Sequence, residues 1–139
     1  MDNIFKVGLD IHGVIDAFPD KFKRLASALL KDGAEVHIIT GSKRCPGIEA
    51  FLDKAGIQFT HYFSIVDHLE ESGVEIEWKE GLPYADEHHW NIAKRMYCER
   101  HDIDFMFDDS PVYRETFHDI ESTYLHVINP NRKLYSTRK

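Results

Sequence analysis

Hydrophobic and polar positions along this chain alternate between two periods. Short apolar runs of strand length (Lys6 to Leu9, Val36 to Ile39, Ile57 to Phe63, Asp104 to Phe107, Thr123 to Ile128) are separated by stretches in which apolar residues recur at helical spacing. Phe22, Leu25, Leu29 and Leu30 mark a first helix that starts at Asp20 and stops at Asp32-Gly33. Ile48, Phe51, Leu52 and Ala55 mark a second, entered through Pro46-Gly47 and closed by Gly56. The pattern predicts further helices around Ile65 to Glu71, from about His88 to His101, and over Tyr113 to Asp119. Residues 73–85 are the least regular: Val74 to Trp78 is compatible with an extra strand, and Gly81-Leu82-Pro83 with a loop. Strands that alternate with helices predict the α/β class, here a three-layer α/β/α Rossmann-like fold. Its doubly wound parallel sheet would be joined by right-handed crossovers.

A chain of 139 residues is one ordinary domain, expected over residues 1–130, with a solvated basic tail at 131–139 that carries Arg132, Lys133, Arg138 and Lys139. No apolar stretch reaches membrane-spanning length, which argues against a membrane partner. The start, Met-Asp-Asn-Ile-Phe-Lys, has neither part of a signal peptide, so the expected compartment is the cytoplasm. Cys45 and Cys98 form no CxxC and are expected as reduced thiols. A formal net charge of −7 argues against non-specific nucleic-acid binding, which needs a basic surface. The nine histidines contain no HExxH, and the adjacent His88 and His89 diverge on a helix, so they are expected at the surface.

The strand ends carry the chemistry. The first run stops at Asp10, within Asp10-Ile11-His12-Gly13-Val14-Ile15-Asp16; the second stops at Thr40-Gly41-Ser42; the fourth stops at Asp108-Asp109-Ser110-Pro111. Ligands of open parallel sheets bind at the carboxyl ends of strands, where the strand order switches. Carboxylates gathered there repel one another and need protons or a cation. Oxygen donors alone, with positions left open, suit Mg²⁺, and Mg²⁺ held that way commonly serves phosphate. Thr40 and Ser42 can donate to phosphoryl oxygens, a Lys can offset developing charge, and a strand-end Asp can attack phosphorus.

These segments resemble the haloacid dehalogenase-like (HAD) superfamily. Asp10 to Asp16 resembles its first motif, D-x-D-G-x-x-D; Ile38-Ile39-Thr40-Gly41-Ser42 its second; Phe107-Asp108-Asp109-Ser110-Pro111 its fourth. The stretch from Lys94 through Asp108-Asp109-Ser110-Pro111 is similar to that of 5′(3′)-deoxyribonucleotidase-type members. The resemblance implies Asp10 as nucleophile and Mg²⁺ ligand, His12 as a ligand through its carbonyl, Asp108 and Asp109 as acidic ligands, and Thr40, Gly41 and Ser42 as phosphate binders. Lys94 would stabilise nucleophile and phosphate, with Lys79 as its competitor for that role. Twenty-three residues between Asp16 and Thr40 leave no room for a cap domain, only for a small lid around residues 73–89.

Two functional classes follow. One is a Mg²⁺-dependent phosphohydrolase acting on a small phosphomonoester, nucleotides preferred, through an aspartyl phosphate on Asp10. The other is an inactive relative that binds a phosphorylated ligand or a protein. His12 separates them, because it stands where phosphatases of the superfamily carry the acid–base Asp; imidazole can do the same work at neutral pH. A dehalogenase is a weaker third option, since such enzymes do not need the acid pair. Trp78, Tyr84 and Trp90 are candidates to stack on a nucleobase or simply to pack the lid. Ser42 and Ser110 are candidates to cap the helices they precede.

Overall fold

A computed structural model describes residues 3–129. The basic segment 131–139 lies outside them. Five parallel strands, β1 (Lys6–Leu9), β2 (Glu35–Thr40), β3 (His61–Ser64), β6 (Phe105–Asp108) and β7 (Thr123–His126), form one sheet in the order β3-β2-β1-β6-β7. The earliest strand is therefore the central one. The chain winds outward from β1 through β2 to β3, then returns to lay β6 on its other side, which makes the gap between β1 and β6 the switch point.

Each strand is apolar on both faces because helices cover both. Val7, Leu9, Val36 and Ile38 pack with Phe22 and Ala26 of α1 (Pro19–Lys31) and Leu52 of α2 (Pro46–Lys54). The alternate residues Ile39 and Met106 pack with Cys98 of α4 (Glu87–Arg100) on the opposite face, where α3 (Ile65–Glu71) also meets α4 through Val66, Leu69, Trp90 and Ala93. The result is the three-layer Rossmann-like α/β/α arrangement, with no cap domain among the described residues. None of their helices is long and apolar enough to cross a membrane.

Three elements differ from the sequence expectation. The strand expected from Ile57 begins only at His61. Gly56 takes φ 74°, the Ile57 N–H bonds the Leu52 carbonyl at 2.9 Å, and Ile57 is buried, so the apolar start of that run closes α2 instead. The Thr60 side chain then does a strand's work, accepting from the Val36 N–H and donating to the Val36 carbonyl at 3.1 and 3.0 Å. The expected helix over Tyr113 to Asp119 is a single turn, α5 (Pro111–Arg114). The irregular stretch is a β-hairpin of β4 (Glu77–Lys79) and β5 (Leu82–Tyr84), with strand where a loop through Pro83 is expected. Its two-residue turn, Glu80-Gly81, has positive φ at both positions (53° and 78°), the turn whose twist matches a hairpin. Pro83 is tolerated because a two-stranded ribbon has only edges.

Candidate active site

The ends of β1 and β6 bring Asp10 and Asp108 together, and α4 delivers Lys94 between them. The Lys94 Nζ lies 2.7 Å from Asp108 Oδ2 and 3.3 Å from Asp10 Oδ1. All three are buried, Lys94 to 1% exposure. An ammonium is tolerable there only because two carboxylates hold it. Tyr113 adds to this, with Nζ 4.7 Å from its ring centroid, and the Trp90 indole N–H fixes that ring by donating to the Tyr113 hydroxyl at 2.6 Å. Asp10 also accepts from the Ile11 N–H (2.8 Å), and Asp108 from the Ser110 N–H (3.1 Å).

Asp109 completes the acidic group. One carboxylate oxygen from each of Asp10, Asp108 and Asp109 lies within 4.8 Å of the others. The turn after β1 makes room for it: Gly13 has φ 86°, and a Cβ at Gly13 would overlap the Asp109 carboxylate. Glycine at that place is thus demanded twice, by the backbone and by the acid beside it.

His12 leaves this turn with 49% of its side chain exposed. Its Nδ1 is 3.2 Å from Asp16 Oδ2, and its Nε2 is 3.0 Å from Ser42 Oγ. Asp16 also accepts from the Gly13 N–H at 2.8 Å, so one carboxylate ties both the turn and the imidazole. Ser42, expected as a possible helix cap, serves His12 instead, and Cys45 occupies the N-cap of α2 with no side-chain bond. Ser110 does cap, accepting from the Tyr113 N–H at 3.2 Å. Thr40 is fully buried, its hydroxyl accepting from the Ser42 N–H at 3.3 Å.

The electrostatics follow from three buried carboxylates facing one buried ammonium. Burial pushes the Asp10 carboxyl up to about 7, against the pull of Lys94 and with the help of Asp108. Burial alone would drive Lys94 down, but Asp10 and Asp108 outweigh it and hold the ammonium above the usual lysine range. The hydrogen bond to Asp16 raises His12, against burial and with the Asp10 charge. Asp16 is held below the usual carboxylate range by His12 and the Gly13 N–H, against burial.

These groups form the floor of a cavity of about 630 Å³. Thr40, Gly41 and Ser42 line its wall, and Trp78, Leu82 and Pro83 of the hairpin lie over its mouth. Trp90 lines it from α4 while packing against α3. Lys79 lies elsewhere, 3.6 Å from Glu77 and 61% exposed, so of the two candidate lysines only Lys94 touches the acids. Tyr113 is a site residue that the sequence motifs do not mark; its place one turn beyond the strand-end acid pair is the available signal. His88 and His89 are exposed, as expected, whereas His37, expected at the surface with the other histidines, is buried on β2.

No protein-family model matches this chain, and no curated protein does. Among solved structures it is similar to an uncharacterized protein from Corynebacterium glutamicum ATCC 13032 Kitasato, at 16% identity and TM-score 0.55 over 97% of this chain and 93% of that one. That likeness concerns the fold.

Proposed function

We propose that this chain is a HAD-type phosphohydrolase that uses Mg²⁺ and cleaves a small phosphomonoester, nucleotides preferred, in the cytoplasm. The observation that carries the reading is the Asp10–Lys94–Asp108 contact at the switch point, beneath an open cavity walled by Thr40 and Ser42. The donor set fits the ion: an excess of buried carboxylate over ammonium calls for a cation, and an all-oxygen group of this kind favours Mg²⁺. Asp10, Asp108, Asp109 and the His12 carbonyl would hold it. When bound, Mg²⁺ would neutralise phosphoryl charge and keep the Asp10 carboxyl ionised.

This chain's own residues divide the remaining work. Asp10 attacks phosphorus, forming the Asp10–phosphorus bond as the bond to the leaving oxygen breaks. Thr40, Ser42 and Lys94 bind the phosphoryl oxygens. His12, released from Ser42, gives its proton to the leaving oxygen and then takes one from the water that hydrolyses the aspartyl phosphate. The clamp on Asp16 raises the proton affinity of the imidazole, which supports His12 as the acid.

The test is a phosphatase screen over nucleotides, sugar phosphates and an aryl phosphate, with and without Mg²⁺, on the parent, Asp10→Asn and His12→Asp. Mg²⁺-dependent turnover abolished in Asp10→Asn is expected, with His12→Asp faster on alkyl esters. Parent-like activity in Asp10→Asn would overturn the covalent route. A silent parent that binds phosphorylated ligands, and is not rescued by His12→Asp, would make the protein a binder.

A further inference from the structure

Where the strands begin, at the edge opposite the phosphate chemistry, three other side chains converge. Glu35 and His37 are two apart on β2 and share a face, and His61 lies directly beside His37 in the parallel register of β2 and β3. The two imidazoles stack with centroids 4.1 Å apart and planes 8° from parallel. Glu35 Oε1 is 2.8 Å from His37 Nε2 and 4.0 Å from His61 Nδ1. One ligand atom from each of the three lies within 4.8 Å of the others. His37 is buried, while Glu35 and His61 reach solvent, so the group has an entry path.

The surroundings of His37 orient it. Tyr97 of α4 places its hydroxyl 2.6 Å from His37 Nδ1. In the ion-free protein His37 Nε2–H donates to the Glu35 carboxylate, and Nδ1 accepts from the Tyr97 hydroxyl; an ion that takes the place of the Nε2 proton leaves the ring's proton on Nδ1, where the Tyr97 oxygen accepts it, which is how second-sphere partners fix metal-bound imidazoles. Stacked rings do not both aim at one point, but His61 is half exposed at the first position of an edge strand and can turn toward an ion held by the other two.

We propose that Glu35, His37 and His61 form a binding site for a zinc-class divalent ion, with one position left to solvent, that fastens edge strand β3 to β2. Two imidazoles and a carboxylate are a donor set for Zn²⁺ or Co²⁺, not for Mg²⁺, so the site is chemically distinct from the acidic group at the other edge.

Titration of the full chain with Co²⁺, followed by the visible absorption of the protein-bound ion and by displacement with Zn²⁺, tests this. The expected result is a saturable visible absorption with the intensity of a low-coordinate nitrogen–oxygen site, stronger than that of Co²⁺ in an all-oxygen group. His61→Ala and Glu35→Gln should each weaken binding by about a hundredfold, and Tyr97→Phe by about tenfold, the effect of losing a second-sphere partner. His89→Ala should match the parent. His61 is exposed enough for its variant to fold, which circular dichroism checks. Absence of a saturable Co²⁺ spectrum, or a spectrum that survives His61→Ala unchanged, overturns the site; loss on Asp10→Asn would assign the ion to the acidic group.

Discussion

Asp10 is a carboxyl whose ionisation its surroundings oppose, and that makes it a liability without a cation. Its folded value of about 7 exceeds the ordinary 3.8, so the native state holds more protons than the unfolded one between those values. Stability from this group is present at low pH and lost as pH rises through about 7. The raised His12 acts in the same direction, since its attraction to Asp16 is lost as the ring deprotonates. In metal-free protein, denaturant melts across pH should show the parent losing stability as pH rises toward 7, with that downward slope reduced in Asp10→Asn. Gly13→Ala should cost about 1–3 kcal/mol, since alanine at φ 86° is strained and its Cβ displaces Asp109. A chemical-denaturation midpoint within error of the parent would contradict the contact. Asp10, Thr40 and Asp108 were legible in the sequence because each ends an apolar run, a purely local signal. The choice of Lys94 over Lys79 was not settled locally, because it depends on which side of α4 faces the strand ends. The Ser42–His12 bond and the Glu35–His37–His61 group were illegible, since both are made by β2 lying against neighbours that no local pattern names.

At the scale of elements, α1 to α4 and the inner strands are readable from periodicity, and the exceptions are the start of β3, the hairpin and the single turn of α5. Ile57 and Thr60 carry the composition of a strand, but one closes α2 and the other bonds Val36 through its hydroxyl. The hairpin was hidden because its strands are three residues each, too short to show alternation. It leaves Trp78, Leu82 and Tyr84 at 49%, 48% and 41% exposure, with Trp78 and Leu82 at the cavity mouth. Exposed aromatics contribute little to folding, so Trp78→Ala should move stability by no more than about 0.5 kcal/mol. If the hairpin holds the leaving group, the same change should raise KM severalfold for aryl phosphates and nucleotides while sparing small aliphatic phosphates. Equal KM changes across all substrates would assign Trp78 a role in shaping the site as a whole.

For the whole molecule, the acidic group couples ion binding to global stability, because Asp10 and Asp108 come together only when both halves of the sheet are in place. Saturating Mg²⁺ should raise Tm by mass action, worth about 2.7 kcal/mol at a hundred times Kd, and Asp108→Asn should remove most of that rise. A Tm indifferent to millimolar Mg²⁺ would contradict a shared ion. The winding order has a second consequence, in time. Lys6 and Asp104, hydrogen bonded at the entry to β1 and β6, are 98 positions apart. A ribosome adding about 5–20 residues per second needs roughly 5–20 s to make that stretch. Once β2 has been made, the central strand has it on one side and a bare hydrogen-bonding edge on the other until β6 arrives, the kind of edge that recruits foreign strands. Ribosome-stalled chains ending before Phe105 should therefore be bound by chaperones and cleaved by protease, and chains that have released His126 should escape both; the newborn protein is most vulnerable at what becomes its best-protected strand.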